Sequence, residues 1–293
     1  MKNWLIVIFS LMFVACTDPS NTESTDTGTG QAETQPEEKV SAEAENSAVN
    51  ISTQEITYEV NGEPFTGFLA YDSNIAGKRP GILIVHEWWG HNDYVRSRAI
   101  QLAEMGYVAL ALDMYGAGKV ADHPDNAMAF MQAATANPEA LKARFLAARE
   151  LLIKQNVTET DNIAAIGYCF GGAVVLNMAR AGVDLDGVAS FHGALATTFP
   201  ATPGSVKAKV LVLHGDADPL VPIEQVDAFK SEMTAAGADY EFINYPDALH
   251  GFTNPGATEK GLQFEMPLAY DEQADSDSWL RLQNFLAELW PES

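Results

Sequence analysis

Three side chains in this sequence have the types and the order of a nucleophile, an acid and a base. Cys169 stands in Gly167-Tyr168-Cys169-Phe170-Gly171, a Gly-x-nucleophile-x-Gly spacing with a thiol in place of the usual hydroxyl. A nucleophile on a sharp strand-to-helix turn sits in strained backbone, so the residues two before and two after it must have almost no side chain. A helix starting directly after it places partial positive charge at the sulfur and favours thiolate over thiol. Alone, the same pattern also describes a small buried cysteine between glycines. Asp218 follows in Leu211-Val-Leu-His-Gly-Asp-Ala-Asp-Pro-Leu-Val-Pro222, and His250 in Tyr245-Pro-Asp-Ala-Leu-His-Gly-Phe252. In this set His250 takes the thiol proton or forms a thiolate–imidazolium pair, while Asp218 fixes the imidazole tautomer and stabilises its positive form. Asp216 is the nearest rival, but Asp218 lies further into the loop. Each residue alone suits a turn or a cap. Three of them at three strand ends, in this order, point to catalysis.

The elements that must position these residues are legible from hydropathy patterning. Asp161 and Asn162 bound a short apolar run that reads as a strand buried on both faces, followed by a helix through about Arg180. Upstream, Ile56–Val60 and Phe65–Tyr71 alternate around Asn61-Gly62, the pattern of a hairpin. Buried strands are expected at 81–86 and 107–112, with a helix between them over 94–105. Helices over 123–136 and 139–155 are separated by Asn137-Pro138. Strands at 187–191, 209–214 and 240–245, a helix at 223–236 and a last helix ending near Trp290 complete the pattern. Strands alternating with helices imply an α/β fold with a mostly parallel central sheet and helices on both faces. Such sheets carry their sites at the carboxyl ends of the strands, where Cys169, Asp218 and His250 all fall. There is no internal repeat and no second break in composition, so 51–293 reads as one domain.

Composition narrows the partners. The chain has 293 residues, 47% hydrophobic, with 17 basic against 40 acidic residues and a formal net charge of -23. That surface repels nucleic acid and anionic membrane. Residues 1–15 combine Lys2 with an apolar run ending in Ala15, which reads as a signal peptide rather than a spanning helix. Phe13-Val-Ala-Cys16 resembles a bacterial lipoprotein processing site, which implies cleavage before Cys16, lipidation of its sulfur and an envelope location, with the outer membrane favoured. An ordinary cleavable signal with an incidental cysteine is the alternative. Residues 16–50 are polar, small and acidic, and read as a disordered tether. With Cys16 acylated, Cys169 has no disulfide partner in the chain.

Taken together, Gly-Tyr-Cys-Phe-Gly-Gly at 167–172, His-Gly-Asp-Ala-Asp-Pro-Leu-Val-Pro at 214–222, His-Gly-Phe at 250–252 and Val85-His-Glu-Trp-Trp-Gly-His-Asn92 resemble the dienelactone hydrolase family of α/β-hydrolases. The resemblance covers roughly Tyr58 to Leu289. It implies the α/β-hydrolase fold and a hydrolase of ester, lactone or thioester bonds acting through an acyl-cysteine, with no cofactor. It implies Cys169, Asp218 and His250 as the triad. It places Glu87 near the thiol, where the family's Glu influences how the Cys is protonated, and makes the backbone N–H groups of Trp88 and Phe170 an oxyanion hole. Two positions depart from the family. Ala117 and Asn254 stand where the dienelactone-cleaving members hold arginines for the substrate carboxylate, and Lys119 is at best a partial substitute. Dienelactone itself is therefore not the expected substrate. Trp88, Trp89, Tyr115 and Phe252 suggest a more apolar pocket, or equally ordinary core aromatics. His86 and His91 flank Glu87 at a spacing that does not make a metal site. The alternatives are a non-catalytic ligand-binding lipoprotein on the same scaffold and a structural envelope lipoprotein. A small-molecule substrate, a membrane contact through the lipid alone and a monomer are the expected partnerships.

Overall fold

The computed structural model describes residues 49–291. The expected signal peptide, Cys16 and nearly all of the expected tether lie outside them. The described chain opens with β1 (Ile51–Val60) and β2 (Glu63–Asp72), a hairpin whose turn residues Asn61 and Gly62 take φ of 53° and 84°. Both must be left-handed for a two-residue turn to match the strand twist, and Asn and Gly tolerate that best. Then follow β3 (Arg79–Val85), α1 (Asp93–Glu104), β4 (Val108–Leu112), α2 (Pro124–Thr135), α3 (Pro138–Ile153) and β5 (Thr158–Tyr168). The second half runs α4 (Phe170–Arg180), β6 (Gly187–Phe191), β7 (Lys209–Gly215), α5 (Ile223–Ala236), β8 (Tyr240–Tyr245), α6 (Ala257–Phe264) and α7 (Glu272–Leu289).

The eight strands form one sheet in the order β1-β2-β4-β3-β5-β6-β7-β8. β1 and β2 pair antiparallel, as do β2 and β4, and every other pairing is parallel. Alternation along the strands splits the core into two layers. Leu83 and Val85 of β3 pack with Phe145 of α3, Val174 of α4 and Phe229 of α5. Ile82 and Ile84 pack with Ala99 and Leu102 of α1 and with Leu282 and Phe285 of α7. The continuous apolar runs of the central strands follow from this, because both faces are covered.

Local chemistry sets the helix boundaries. The Asn92 carboxamide accepts from the Val95 N–H at the start of α1, and Asn137 does the same for Ala140 at the start of α3. Pro138 at the first turn of α3 ends α2 in the process. Asp271 caps α7, and Gly237, with φ of 68°, closes α5. Three elements differ most from the sequence expectation, the first being β1, which starts at Ile51 rather than Ile56. β5 starts at Thr158 rather than beside Asn162, because Thr158 pairs with Arg79 across a register irregularity. α6 was not expected. It is short, holds Gly261 and shows little apolar content beyond Ala257, Leu262 and Phe264.

Candidate active site

The site is built on the turn between β5 and α4. Cys169 has φ of 55° and ψ of -114°, a conformation costing about 1–3 kcal/mol for a residue with a Cβ. Its N–H donates to the Phe191 carbonyl at 3.0 Å, and the helix starts at the next residue. The flanking glycines are a matter of space. A Cβ on Gly167 would collide with the Gly171 carbonyl, and one on Gly171 with the Val85 carbonyl at the end of β3. The strained turn is thus held between β3 and its own helix. Cys169 is half-buried and unpaired among the described residues.

The other two residues sit where the chain order placed them, after β7 and β8. Asp218 is buried, and its Oδ1 accepts from the Leu220 N–H at 2.8 Å. Its Oδ2 lies 2.7 Å from His250 Nδ1. A carboxylate there makes Nδ1 the protonated nitrogen and leaves Nε2 for the thiol. Burial works against a charge on His250. The adjacent Cys169 and the bond to Asp218 outweigh it and hold the imidazole well above its ordinary pKa. Asp216, the rival, is exposed.

The segment after β3 forms the facing edge. His86 is fully buried, with Nδ1 2.5 Å from the Glu87 carbonyl and Nε2 accepting from the Met114 N–H at 3.2 Å. Those partners make it an Nδ1–H donor, and burial lowers its pKa to about 4, so both nitrogens of a neutral ring are occupied. The Gly90 N–H closes on the Glu87 carbonyl, and the Tyr115 hydroxyl donates to the Trp88 carbonyl at 3.1 Å. The N–H groups of Trp88 and Phe170 have no protein acceptor among the described residues. An oxyanion hole requires two amides free of protein acceptors in this way.

Glu87 is buried, and its carboxylate is held by Asn254. Oε2 accepts from Asn254 Nδ2 at 2.6 Å, while Asn254 Oδ1 takes the Gly256 N–H at 2.9 Å. No hydrogen bond joins Glu87 to Cys169 among the described residues. Burial raises the Glu87 pKa, and the Asn254 bond with the charges of His250, Lys260 and Arg98 only partly offsets it. Asn254, read from sequence as a lost arginine, is thus the clamp on Glu87. Ala117 is also committed to the fold: with φ of 54° it donates its N–H to the Pro64 carbonyl.

Of the aromatics that the sequence offered as pocket or core residues, Trp89 and Phe252 lie in the core. Phe252 is fully buried between Tyr245 and His192, and Trp89 packs with Ala121, Ala127, Ala257 and Leu268. Their size fits the gap between sheet and covering helices, which buries the whole ring. Tyr115 packs edge-on to His86 and beside Phe170, so it does adjoin the nucleophile. Lys119 lies over Phe130 with its ammonium 3.5 Å from the Tyr115 carbonyl, and borders a cavity of about 360 Å³ with Val60, Phe65, Tyr115, Ala117 and Arg144. The cation beside Glu87 is one the sequence reading missed: Lys260 of α6, 3.6 Å above the Trp89 ring.

Comparison with known proteins bears on the family and the fold. The model of the dienelactone hydrolase family matches residues 65–290. The solved structure named m3DLH is 36% identical, covers 82% of this chain and 98% of its own, and superposes with a TM-score of 0.76. A dienelactone-hydrolase-like promiscuous phosphotriesterase from metagenomic libraries is 32% identical with the same coverage and a TM-score of 0.75. A Methylorubrum extorquens protein provisionally named a carboxymethylenebutenolidase is 27% identical over 222 residues, 72% of this chain and 73% of its own.

Proposed function

Because this chain belongs to the dienelactone hydrolase family, we propose that it cleaves ester or lactone bonds, thioesters among them, through an acyl-cysteine on Cys169. The observation that carries the reading is the 2.7 Å bond from Asp218 to His250, with a strained cysteine at a helix N-terminus beside it. In this reading the Cys169 sulfur attacks the acyl carbon, and the carbonyl oxygen gains charge between the N–H groups of Trp88 and Phe170. The tetrahedral intermediate collapses as the His250 imidazolium gives its proton to the leaving alkoxide. That step releases the alcohol and leaves a thioester on Cys169. Water then attacks the thioester while His250 takes its proton. Collapse of the second intermediate expels the thiolate and frees the acid, and Asp218 holds the same His250 tautomer throughout.

The test is a panel of esters, lactones and thioesters with Cys169→Ala as the blank. Activity lost in that variant with the circular dichroism spectrum unchanged supports the reading. Wild-type rates without the thiol would remove Cys169 from the mechanism, and no turnover by either protein would favour a ligand-binding role. The relative named a promiscuous phosphotriesterase adds a phosphotriester to the panel. Lipid attachment at Cys16 forms part of the same proposal and rests on Phe13-Val-Ala-Cys16. Cys16→Ser should move the protein from the membrane fraction to the soluble one with hydrolysis intact, and retention in membranes would mean another anchor.

A further inference from the structure

A buried polar chain that the hydrolytic cycle does not use ends against His250. Arg98 of α1 is buried, with its guanidinium over the rings of Tyr94, Tyr168 and Trp279. It donates from Nε to the Tyr94 hydroxyl at 3.3 Å and from Nη2 to the Thr253 carbonyl at 2.7 Å and to Asp275. The Tyr94 hydroxyl lies 2.6 Å from Thr253 Oγ1, which lies 2.8 Å from His192 Nε2. His192 follows β6, is fully buried with φ of 41°, and sets its ring edge-on to His250 at 5.3 Å between centroids.

The donors fix the direction of this chain. Guanidinium hydrogens can only be given, so the Tyr94 oxygen accepts from Arg98 and its own hydrogen passes to Thr253. The Thr253 hydrogen then has one remaining acceptor, His192 Nε2, which makes His192 a neutral Nδ1–H ring. The opposite tautomer would strand a hydroxyl hydrogen on Tyr94 or Thr253, whereas Nδ1 has no hydrogen-bond partner among the described residues in either tautomer and so does not decide between them. Protonating Nε2 would likewise require the whole chain to reverse.

We propose that Thr253 is a positioning residue for catalysis: its hydroxyl holds His192 neutral against His250, so that the working proton stays on the imidazole beside Cys169. Burial, then the charges of His250 and Arg98, outweigh a backbone hydrogen bond at His192 and hold it well below its ordinary pKa. Tyr94 and Tyr168 are pushed upward by burial and stay neutral, and Asp275 is paired with Arg98. Two imidazoles at this distance cannot both be charged cheaply, so a proton drawn to His192 is lost from the partner of the thiolate. The proposal rests on the reading of Cys169 and His250 as nucleophile and base.

The test compares Thr253→Val, which keeps the volume, with Thr253→Ser, which keeps the hydroxyl. The full chain is treated with iodoacetamide across a pH series, and the rate at Cys169 is read by peptide mass spectrometry. Thr253→Val should shift the pH dependence upward by about one unit, making alkylation about tenfold slower on its rising limb, while Thr253→Ser stays within about twofold of wild type. If Val fails to fold, Thr253→Ala takes its place with the same readout. A profile for Val or Ala that matches wild type, or a Ser variant as impaired as Val, overturns the proposal, the second by assigning Thr253 a packing role. A wild-type thiol that alkylates like an unperturbed one overturns instead the catalytic reading beneath it.

Discussion

Glu87 and Asn254 carry charge chemistry that their positions in the sequence misstate. Asn254 is oriented by the Gly256 N–H, so its Nδ2 must face Glu87, and the carboxylate is held by a neutral donor in a buried site. A carboxyl whose folded pKa lies above its ordinary 4.5 favours the folded state at low pH. That advantage is lost as the pH rises through the folded value, because ionisation then costs the native state more than the unfolded one. Gln keeps the acceptor for Asn254 and removes the charge. Glu87→Gln should therefore raise the melting temperature at neutral pH by about 2–4 °C, with the gain vanishing near pH 4. An equal gain at both pH values, or a loss at neutral pH, would show that Glu87 is stabilised as the anion. The proposed triad of Cys169, Asp218 and His250 was legible in the sequence because each member ends a strand and carries its own short motif. The clamp on Glu87 and the chain from Arg98 to His192 were not. They join residues 167, 155 and 61 positions apart through side chains whose types mark no motif.

Among the elements, the β5 turn and α4 concentrate the constraint. The turn's strain persists only because β3, β6 and α4 close around it, through the Cys169–Phe191 bond and the contact of Gly171 with the Val85 carbonyl. Gly171→Ala should cost about 3 kcal/mol or more and remove most of the ester hydrolysis, since backbone rather than a flexible side chain must yield. Urea denaturation with a parallel rate measurement checks it. A stable and active variant would mean that the turn can relax without moving the thiol. The parallel strands and their helices were readable because continuous apolar runs, Asn caps, Pro138 and Gly237 each mark a boundary by local physics. α6 escaped because its place is set by tertiary contact. Lys260 and Phe264, one turn apart on the same face, meet the Trp89 ring.

For the whole molecule, charge is the property most open to measurement. A formal charge of -23 sets an unfavourable field for an anionic substrate. Ala117 and Asn254, which the family resemblance sets at expected arginine positions, are committed to the fold, and Lys260 is balanced by Glu87. A neutral ester should be cleaved with roughly tenfold higher kcat/KM than a carboxylate-bearing analogue of the same size at low salt. The gap should narrow at high salt, because the field is screened. An anion preferred at both salts would mean that Lys119 or Lys260 supplies a bidentate substitute.

The central claim is the acyl-cysteine, and rapid quenching tests it most directly. Full-length protein is mixed with excess p-nitrophenyl acetate, stopped in acid within the first turnover and digested for mass spectrometry. The account predicts a burst of nitrophenol close to one equivalent and an acetyl group on the peptide holding Cys169, absent in Cys169→Ala. Turnover without that adduct and without a burst, or an acetyl group on another residue in the turnover-competent protein, would contradict it.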